Sequence, residues 1–367
     1  MQHASRRRFL RHLGTGLAAV SLPLAGWPAS FTAGDKKLNI ALLGLGRYAG
    51  YLAEGLQETR YCRLAGVVTG TPAKARDWQK KYQLPAANIY DYENFDTVAG
   101  NPGIDLIYVV TPNALHKEFV LRAARAGKHV IVEKPMAVSV ADCLEMIDAC
   151  KKAEVALAMG YRLHYEPYNM EMKRLGQEKV FGQVKLVEAS LGYKAIDNPG
   201  EWRLHKALSG GGPLMNLGIY CVQAARYITG EEPVSLTAQF GPVTYPAIFK
   251  EVEESITWQM RFPSGALCTS STTYNCGIDR LYASAGNGFF ELSPAISYGP
   301  FRGRTSRGEL NFPVINQQAA QMDGIARCIL DGRPLPGHIS GEEGLKDMRV
   351  IEAIYAAAAS GKETRVG

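Results

Sequence analysis

The feature that most constrains this chain is an alternation of apolar runs and helical segments between Leu38 and Arg162. LNIALLGLG (Leu38–Gly46) is a continuous apolar run ending in glycines, as expected of a strand buried on both faces of a parallel sheet. RLAGVVTG (Arg63–Gly70), DLIYVVTP (Asp105–Pro112), KHVIVEKP (Lys128–Pro135) and VALAMGYR (Val155–Arg162) repeat it. Between them lie RYAGYLAEGLQ, the segment from Pro72 through Lys81, the segment Leu115–Ala126 and SVADCLEMIDACKKA, all with helical periodicity. Strands alternating with helices of this length predict an α/β doubly wound parallel sheet. At the first strand-to-helix turn stands Gly44-Leu45-Gly46-Arg47-Tyr48-Ala49, one form of the dinucleotide fingerprint. Gly44 permits the tight turn, Gly46 lets backbone approach a pyrophosphate, and Ala49 allows close helix packing. The free N–H groups of the helix that follows would face the phosphates.

The end of the second strand bears on which dinucleotide binds. An NAD-selective site normally places Asp or Glu there, bonded to the ribose hydroxyls. Here the sequence runs VVTGTPAKA, with Thr69 and Lys74 and no acid before Asp77. A hydroxyl and an ammonium suit a 2′-phosphate, so NADP is the expected cofactor.

The 367 residues suggest two domains. The net charge of +6 is uneven: Arg6, Arg7, Arg8 and Arg11 precede Asp35, all 35 acids stand at or after it, and the remainder carries +2. No basic patch or stripe of the kind nucleic-acid binders carry is present. Seven cysteines lie in apolar patterns without CxxC or metal-ligand spacing, so buried free thiols and no metal are expected. The N-terminus, SRRRFLR (Ser5–Arg11) ahead of a diluted apolar run from Leu13 to Gly26, is similar to a bacterial twin-arginine export signal. That run is too short to anchor the chain in a membrane. The expectation is a leader over residues 1–34 and a periplasmic protein exported already folded, with a dinucleotide-binding domain over 35–160 behind the leader.

GLGRYA, TPNALH, EKPMA and GYR, read in order, resemble the glucose–fructose oxidoreductase/inositol dehydrogenase (Gfo/Idh/MocA) family, and within it the periplasmic glucose–fructose and aldose–aldose oxidoreductases. EWRL (Glu201–Leu204), GGGPLMNLGIY (Gly210–Tyr220), EVEESITWQMRF (Glu251–Phe262) and INQQAAQMD (Ile315–Asp323) extend the resemblance over nearly everything after Leu38. It implies a second domain, over 161–367, built on a large open antiparallel sheet, with one sheet face packed in a homodimer or homotetramer. VKLVEASLG, SLTAQFG, SITWQMRF and ALCTSSTTY are independently β-rich, with helices at Pro213–Ile228 and near Glu342–Ala359.

Lys134 follows the fourth strand, where ligands bind in open α/β sheets; the resemblance places it beside nicotinamide and substrate. Tyr220 lies four residues after Asn216, so one helix face would carry both. Family relatives have an acid and then His or Tyr at these positions, so Tyr220 matches while the amide of Asn216 can orient a sugar but cannot take a proton. The resemblance further implies cofactor contacts from Thr111, Pro112, Asn113, His116, Glu133, Arg162, Trp202 and Arg203, and a substrate contact from Tyr161. Lys134 and Tyr220 are then the expected catalytic pair of an enzyme moving hydride from C1 of a cyclic aldose to tightly held NADP and on to a second sugar or aldehyde. Loops 193–199 and 299–308 would read hydroxyl stereochemistry. A dehydrogenase of inositol or keto-sugars with exchangeable cofactor, an NAD-retaining glycoside hydrolase and a non-catalytic sensor remain the alternatives.

Overall fold

The computed structural model describes residues 36–195, 198 and 200–367; the expected leader, residues 1–34, lies outside them, as does part of loop 193–199. Strands β1 (Leu38–Leu43), β2 (Cys62–Val68), β3 (Ile89–Tyr90), β4 (Leu106–Val109), β5 (His129–Val132) and β6 (Leu157–Met159) alternate with helices α1 (Arg47–Glu58), α2 (Pro72–Tyr82), α3 (His116–Arg125) and α4 (Val140–Lys152). They form one sheet in the order β3-β2-β1-β4-β5-β6, parallel throughout. This is the doubly wound order, and its reversal between β1 and β4 opens a crevice beyond their carboxyl ends. Each strand ends two or three residues earlier than its apolar run, because the last residues turn out of the ladder into that crevice. Ser139 caps α4 by accepting the N–H of Asp142 at 3.1 Å.

The rest of the chain supplies α5 (Pro167–Gln177), β7 (Val184–Gly192), α6 (Lys206–Ser209), α7 (Ile219–Thr229), β8 (Ser235–Phe240), β9 (Ser255–Arg261), β10 (Leu267–Thr273), β11 (Ile278–Ala285), β12 (Gly288–Leu292), β13 (Gly303–Thr305), β14 (Gly308–Leu310), α8 (Gln317–Leu330), α9 (Gly341–Ser360) and β15 (Thr364–Arg365). Its nine strands make a second sheet in the order β14-β13-β12-β11-β7-β10-β9-β8-β15. Pairing is antiparallel except between β7 and β10, so the sheet is mixed where the sequence predicts it antiparallel. The excursion through α6 and α7 returns the chain at β8, and the antiparallel run β8–β9–β10 then lays β10 beside β7 in the same direction. Helices α5, α7 and α9 cover one face. On the opposite side of the strands, Ile278 is exposed.

Helix α8 comes late in the chain yet packs on the first sheet. Met322, Ile325 and Ala326 share a buried cluster with Ile40, Leu42, Leu52 and Tyr108. Six of the seven cysteines are buried, whereas Cys276 is exposed in the turn between β10 and β11. Among the described residues none of the helices is long and apolar enough to cross a membrane.

Candidate active site

Beyond β1 the chain turns at Gly44, whose φ of +97° places it in the left-handed region. A Cβ there would lie 2.8 Å from the carbonyl oxygen of Val110, so close packing at the switch point demands glycine. Gly46 is different. Its φ of −82° suits any residue, and a Cβ would meet no protein atom within 4 Å. Nothing in the protein asks for glycine there, and the open space faces the start of α1. That start has neither a side-chain cap nor an acid in its first turn. An uncapped helix N-terminus under an open glycine fits a pyrophosphate. Leu45 is buried beneath the turn. Lys74 reaches back from α2 so that its Nζ donates to the Leu45 carbonyl at 3.3 Å, and Thr69 is buried at the end of β2, its hydroxyl accepting the N–H of Thr71. Glycine turn, lysine and threonine therefore come together beyond β1 and β2. Arg47 points outward, Nη2 3.5 Å from the hydroxyl of Tyr51. The ring of Tyr48 leans toward Tyr298, 6.4 Å between centroids.

The other end of the crevice is built by the ends of β4 and β5. After β4, Thr111 is buried with its hydroxyl unpartnered, and the Asn113 amide donates to the Ser209 carbonyl at 2.8 Å, tying the Thr111-Pro112-Asn113 loop to the second domain. His116 departs from expectation. It is wholly buried, with Nε2 2.9 Å from the Thr111 carbonyl and Nδ1 3.0 Å from that of Pro135. Burial holds its pKa below the usual imidazole value. With both nitrogens facing backbone it clamps two loops, and no ring edge is left for a cofactor.

After β5, the Glu133 carboxylate accepts from the Tyr108 hydroxyl at 2.6 Å and the Lys134 N–H at 3.3 Å; burial raises its pKa. A Cβ on Gly160 would sit 2.5 Å from this carboxylate. The Lys134 ammonium donates to the Asn216 carbonyl at 2.8 Å and stands 4.5 Å from the centre of the Tyr220 ring. Arg162 approaches the same ring at 5.4 Å and that of Tyr298 at 4.6 Å. Carbonyl oxygens of Ile296 and Ser297 and the side chain of Gln317 hold its guanidinium. A half-buried cation, Lys134, and a buried one, Arg162, thus address one phenol, and neither forms an ion pair among the described residues. Burial lowers the pKa of Lys134, outweighing Tyr220 and Glu133. For Arg162 the neighbouring Tyr220, Tyr48 and Tyr298 outweigh burial and raise it.

Asn216 and Tyr220 do not share one regular helix. Leu214–Gly218 is a single π-helical turn ahead of α7, a feature frequent at functional sites. Its carbonyl side receives Lys134, while the Asn216 amide oxygen accepts from Arg203 Nε at 3.3 Å. Arg203 is paired with Glu201 at 2.5 Å and lies over Trp202 at 4.5 Å, so Trp202 and Arg203 do gather at the Asn216 side. Tyr161 does not. Its hydroxyl donates to Asp347 at 2.6 Å and its ring stacks on His164, 5.4 Å between centroids. It is buried against Asp347 of α9 and His164, so it is not available to a substrate. The sequence reading gave no role to Gln317, Gln321 and Tyr298. Gln317 steadies Arg162, and Gln321 donates to the Tyr108 hydroxyl at 2.7 Å, behind Glu133. Polar residues at helical spacing, as in INQQAAQMD, read as a solvated face, so the sequence carried no signal for the burial of these glutamines.

The chain matches the Gfo/Idh/MocA model, an oxidoreductase family with an NAD-binding Rossmann fold, over residues 38–161, and that family's C-terminal domain over 169–287. An aldose–aldose oxidoreductase from Caulobacter crescentus, crystallised with glycerol, superimposes with a TM-score of 0.86 at 43% identity, covering 90% of this chain and 100% of that one. The chain belongs to the Gfo/Idh/MocA family. It is an oxidoreductase with a nicotinamide dinucleotide as cofactor. A D-xylose 1-dehydrogenase [NADP(+)] of Haloarcula marismortui is 27% identical over 91% of this chain and 95% of that protein. Scyllo-inositol dehydrogenase from Lactobacillus casei shares the fold, with a TM-score of 0.76 at 19% identity over 90% of this chain and 99% of that one.

Proposed function

We propose that this protein is an NADP-dependent sugar oxidoreductase that oxidises a cyclic aldose at C1 to a lactone and returns the hydride to a second sugar or aldehyde. The Caulobacter and Haloarcula likenesses support the sugar; the lysine and threonine at the end of β2, without an acid, support the 2′-phosphate. NADP, when bound, supplies the hydride acceptor at C4 of its nicotinamide.

The chain's own share is the proton. The observation that carries the reading is the convergence of Lys134 and Arg162 on Tyr220. Two cations beside the Tyr220 ring stabilise the negative charge that its oxygen carries during proton transfer. The Tyr220 oxygen takes the proton of the C1 hydroxyl as the C1–H bond breaks and the C1–O bond becomes double. Lys134, anchored through the Asn216 carbonyl, holds charge at that point without an ion pair among the described residues. In the return half-reaction Tyr220 gives the proton to the second carbonyl. Asn216, its amide oxygen engaged by Arg203, offers its N–H groups to sugar oxygens. The same reading takes the protein to the periplasm by the twin-arginine route, loaded with nucleotide, and pairs it through the open sheet into a dimer or tetramer.

The test is single-turnover reduction of the bound nucleotide on adding excess aldose. Tyr220→Phe should keep its fold and slow this step by roughly 10²–10⁴, the scale of lost acid–base help. An unchanged rate would reduce Tyr220 to packing. Heat denaturation of the purified protein should release NADP; release of nothing would point to an exchangeable dehydrogenase, and release of NAD to the hydrolase chemistry.

A further inference from the structure

A cavity of about 340 Å³ lies between α5 and α7, behind the catalytic corner. That is the lower end of the range that small-molecule sites occupy, and its lining is of the usual kind, mostly apolar with a few convergent polar groups. Leu163, Met172, Ile228 and Leu281 supply the apolar part, and Tyr220 is also among the lining residues. Two polar atoms of the lining, His164 Nε2 and the Tyr227 hydroxyl, are buried with no hydrogen-bond partner. Their rings meet edge to face at 4.1 Å, and His338 stacks on His164 at 5.3 Å. Unpartnered buried polar atoms are rare in native proteins, and each asks for a ligand or a water.

The charge around His164 is one-sided, while Tyr227 also faces the Glu343 and Asp347 carboxylates. Lys173 Nζ lies 5.8 Å over the Tyr227 ring and forms no ion pair among the described residues. Glu178 is taken by Arg174, and Glu232 and Glu343 are taken by Arg226 and Lys346. Burial holds His164 well below its ordinary pKa, and the charged groups around it, His338, Lys173 and Arg226, push the same way. A carboxylate would supply what is missing: a counter-ion for Lys173, an acceptor for the Tyr227 hydroxyl and a partner for His164. Asn169 and Gln223 donate their N–H groups elsewhere, and their amide oxygens are left to accept from hydroxyls.

We propose that the α5–α7 cavity binds a small polyhydroxy carboxylate, an aldonate. This rests on the functional reading above, since the lactone product yields such an acid when water adds to its carbonyl and the ring ester bond breaks, releasing one proton. The site would let the hydrolysed product act on the helix that carries Tyr220.

Calorimetry on the nucleotide-loaded, full-length protein tests this with D-gluconate, D-glucose and propionate as probes. Gluconate should bind more tightly than either of the others, and Lys173→Met and Tyr227→Phe should each weaken it by about tenfold or more, ~1.4 kcal/mol. Gluconate should raise the His164 pKa in an NMR titration, because a carboxylate favours the protonated ring. It should also lower the rate at saturating aldose in the parent but not in Lys173→Met, whose uninhibited rate stays at the parent value. Equal gluconate affinity in Lys173→Met would mean that the acid sits in the active site and would overturn the proposal. Equal binding of glucose or of propionate, or no heat with any probe, would overturn it too. Binding is read without turnover, so failure of the sugar chemistry and failure of this site give different results.

Discussion

Helix α7 has a buried cation site at each end, and the two are built in opposite ways. At its C-terminal end Arg226, with 2% of its side chain exposed, meets Asp347 at 2.5 Å, Glu343 at 2.8 Å and Glu232 at 2.6 Å. These acids outweigh burial and raise its pKa. At its N-terminal end Lys134 and Arg162 meet carbonyl oxygens, an amide and the faces of tyrosines. One site spends its charge inside the protein and fastens α7 to α9. The other, on the proposed function, keeps its charge for a ligand, at the expense of desolvating Lys134 without an ion pair among the described residues. A buried cation is a mark of function when its partners leave the charge uncompensated, and of architecture when they do not.

Lys134→Met draws that line most sharply. Activity should fall by roughly 10²–10⁴, while the denaturation midpoint stays put or rises, because an apolar side chain in place of an unpaired buried ion is often neutral or stabilising. A large loss of stability would erase the distinction between the two ends. Arg226→Met should do the reverse. It strands Asp347 and should cost about 3–5 kcal/mol of folding free energy, read by urea denaturation, with the activity of the remaining folded fraction near the parent's.

Lys74 extends the comparison to an exposed cation. Lys74→Glu should weaken NADP retention by tenfold or more, ~1.4 kcal/mol upward, because it sets a carboxylate against the 2′-phosphate. Unchanged retention would remove Lys74 from the site. The smallest effect is a slope with pH. Lys134 in the folded protein loses its proton below the ordinary lysine value of 10.5. Between the two values the unfolded chain binds more protons, so this group makes stability rise with pH there. Denaturation midpoints of the parent should therefore gain on those of Lys134→Met through the alkaline range; parallel curves would show that Lys134 is not desolvated.

Much of the fold was legible because it is written in neighbouring residues. The apolar runs around Ile40, Val67, Ile107 and Ile131 place β1, β2, β4 and β5, and the glycines at 44 and 46 mark the crevice. The two-residue β3 escaped, being too short to show a period. The parallel β7–β10 pairing and the docking of α8 on the first sheet escaped as well, since both join segments far apart in the chain.

By itself, then, the sequence determined the doubly wound sheet and the nucleotide turn, because periodicity and turn geometry are local properties; Lys134 and Tyr220 were pointed to by resemblance to the family. Only the tertiary structure decided what those residues meet. Arg162, next to Tyr161, turns toward Tyr220 while Tyr161 turns away to Asp347. His116, in the same motif as Thr111, is consumed by backbone carbonyls. The π-helical turn sets the Asn216 carbonyl against an ammonium that follows β5. Adjacent residues share a stretch of chain but not a direction, and direction is set by packing between elements that the chain brings together only when it folds.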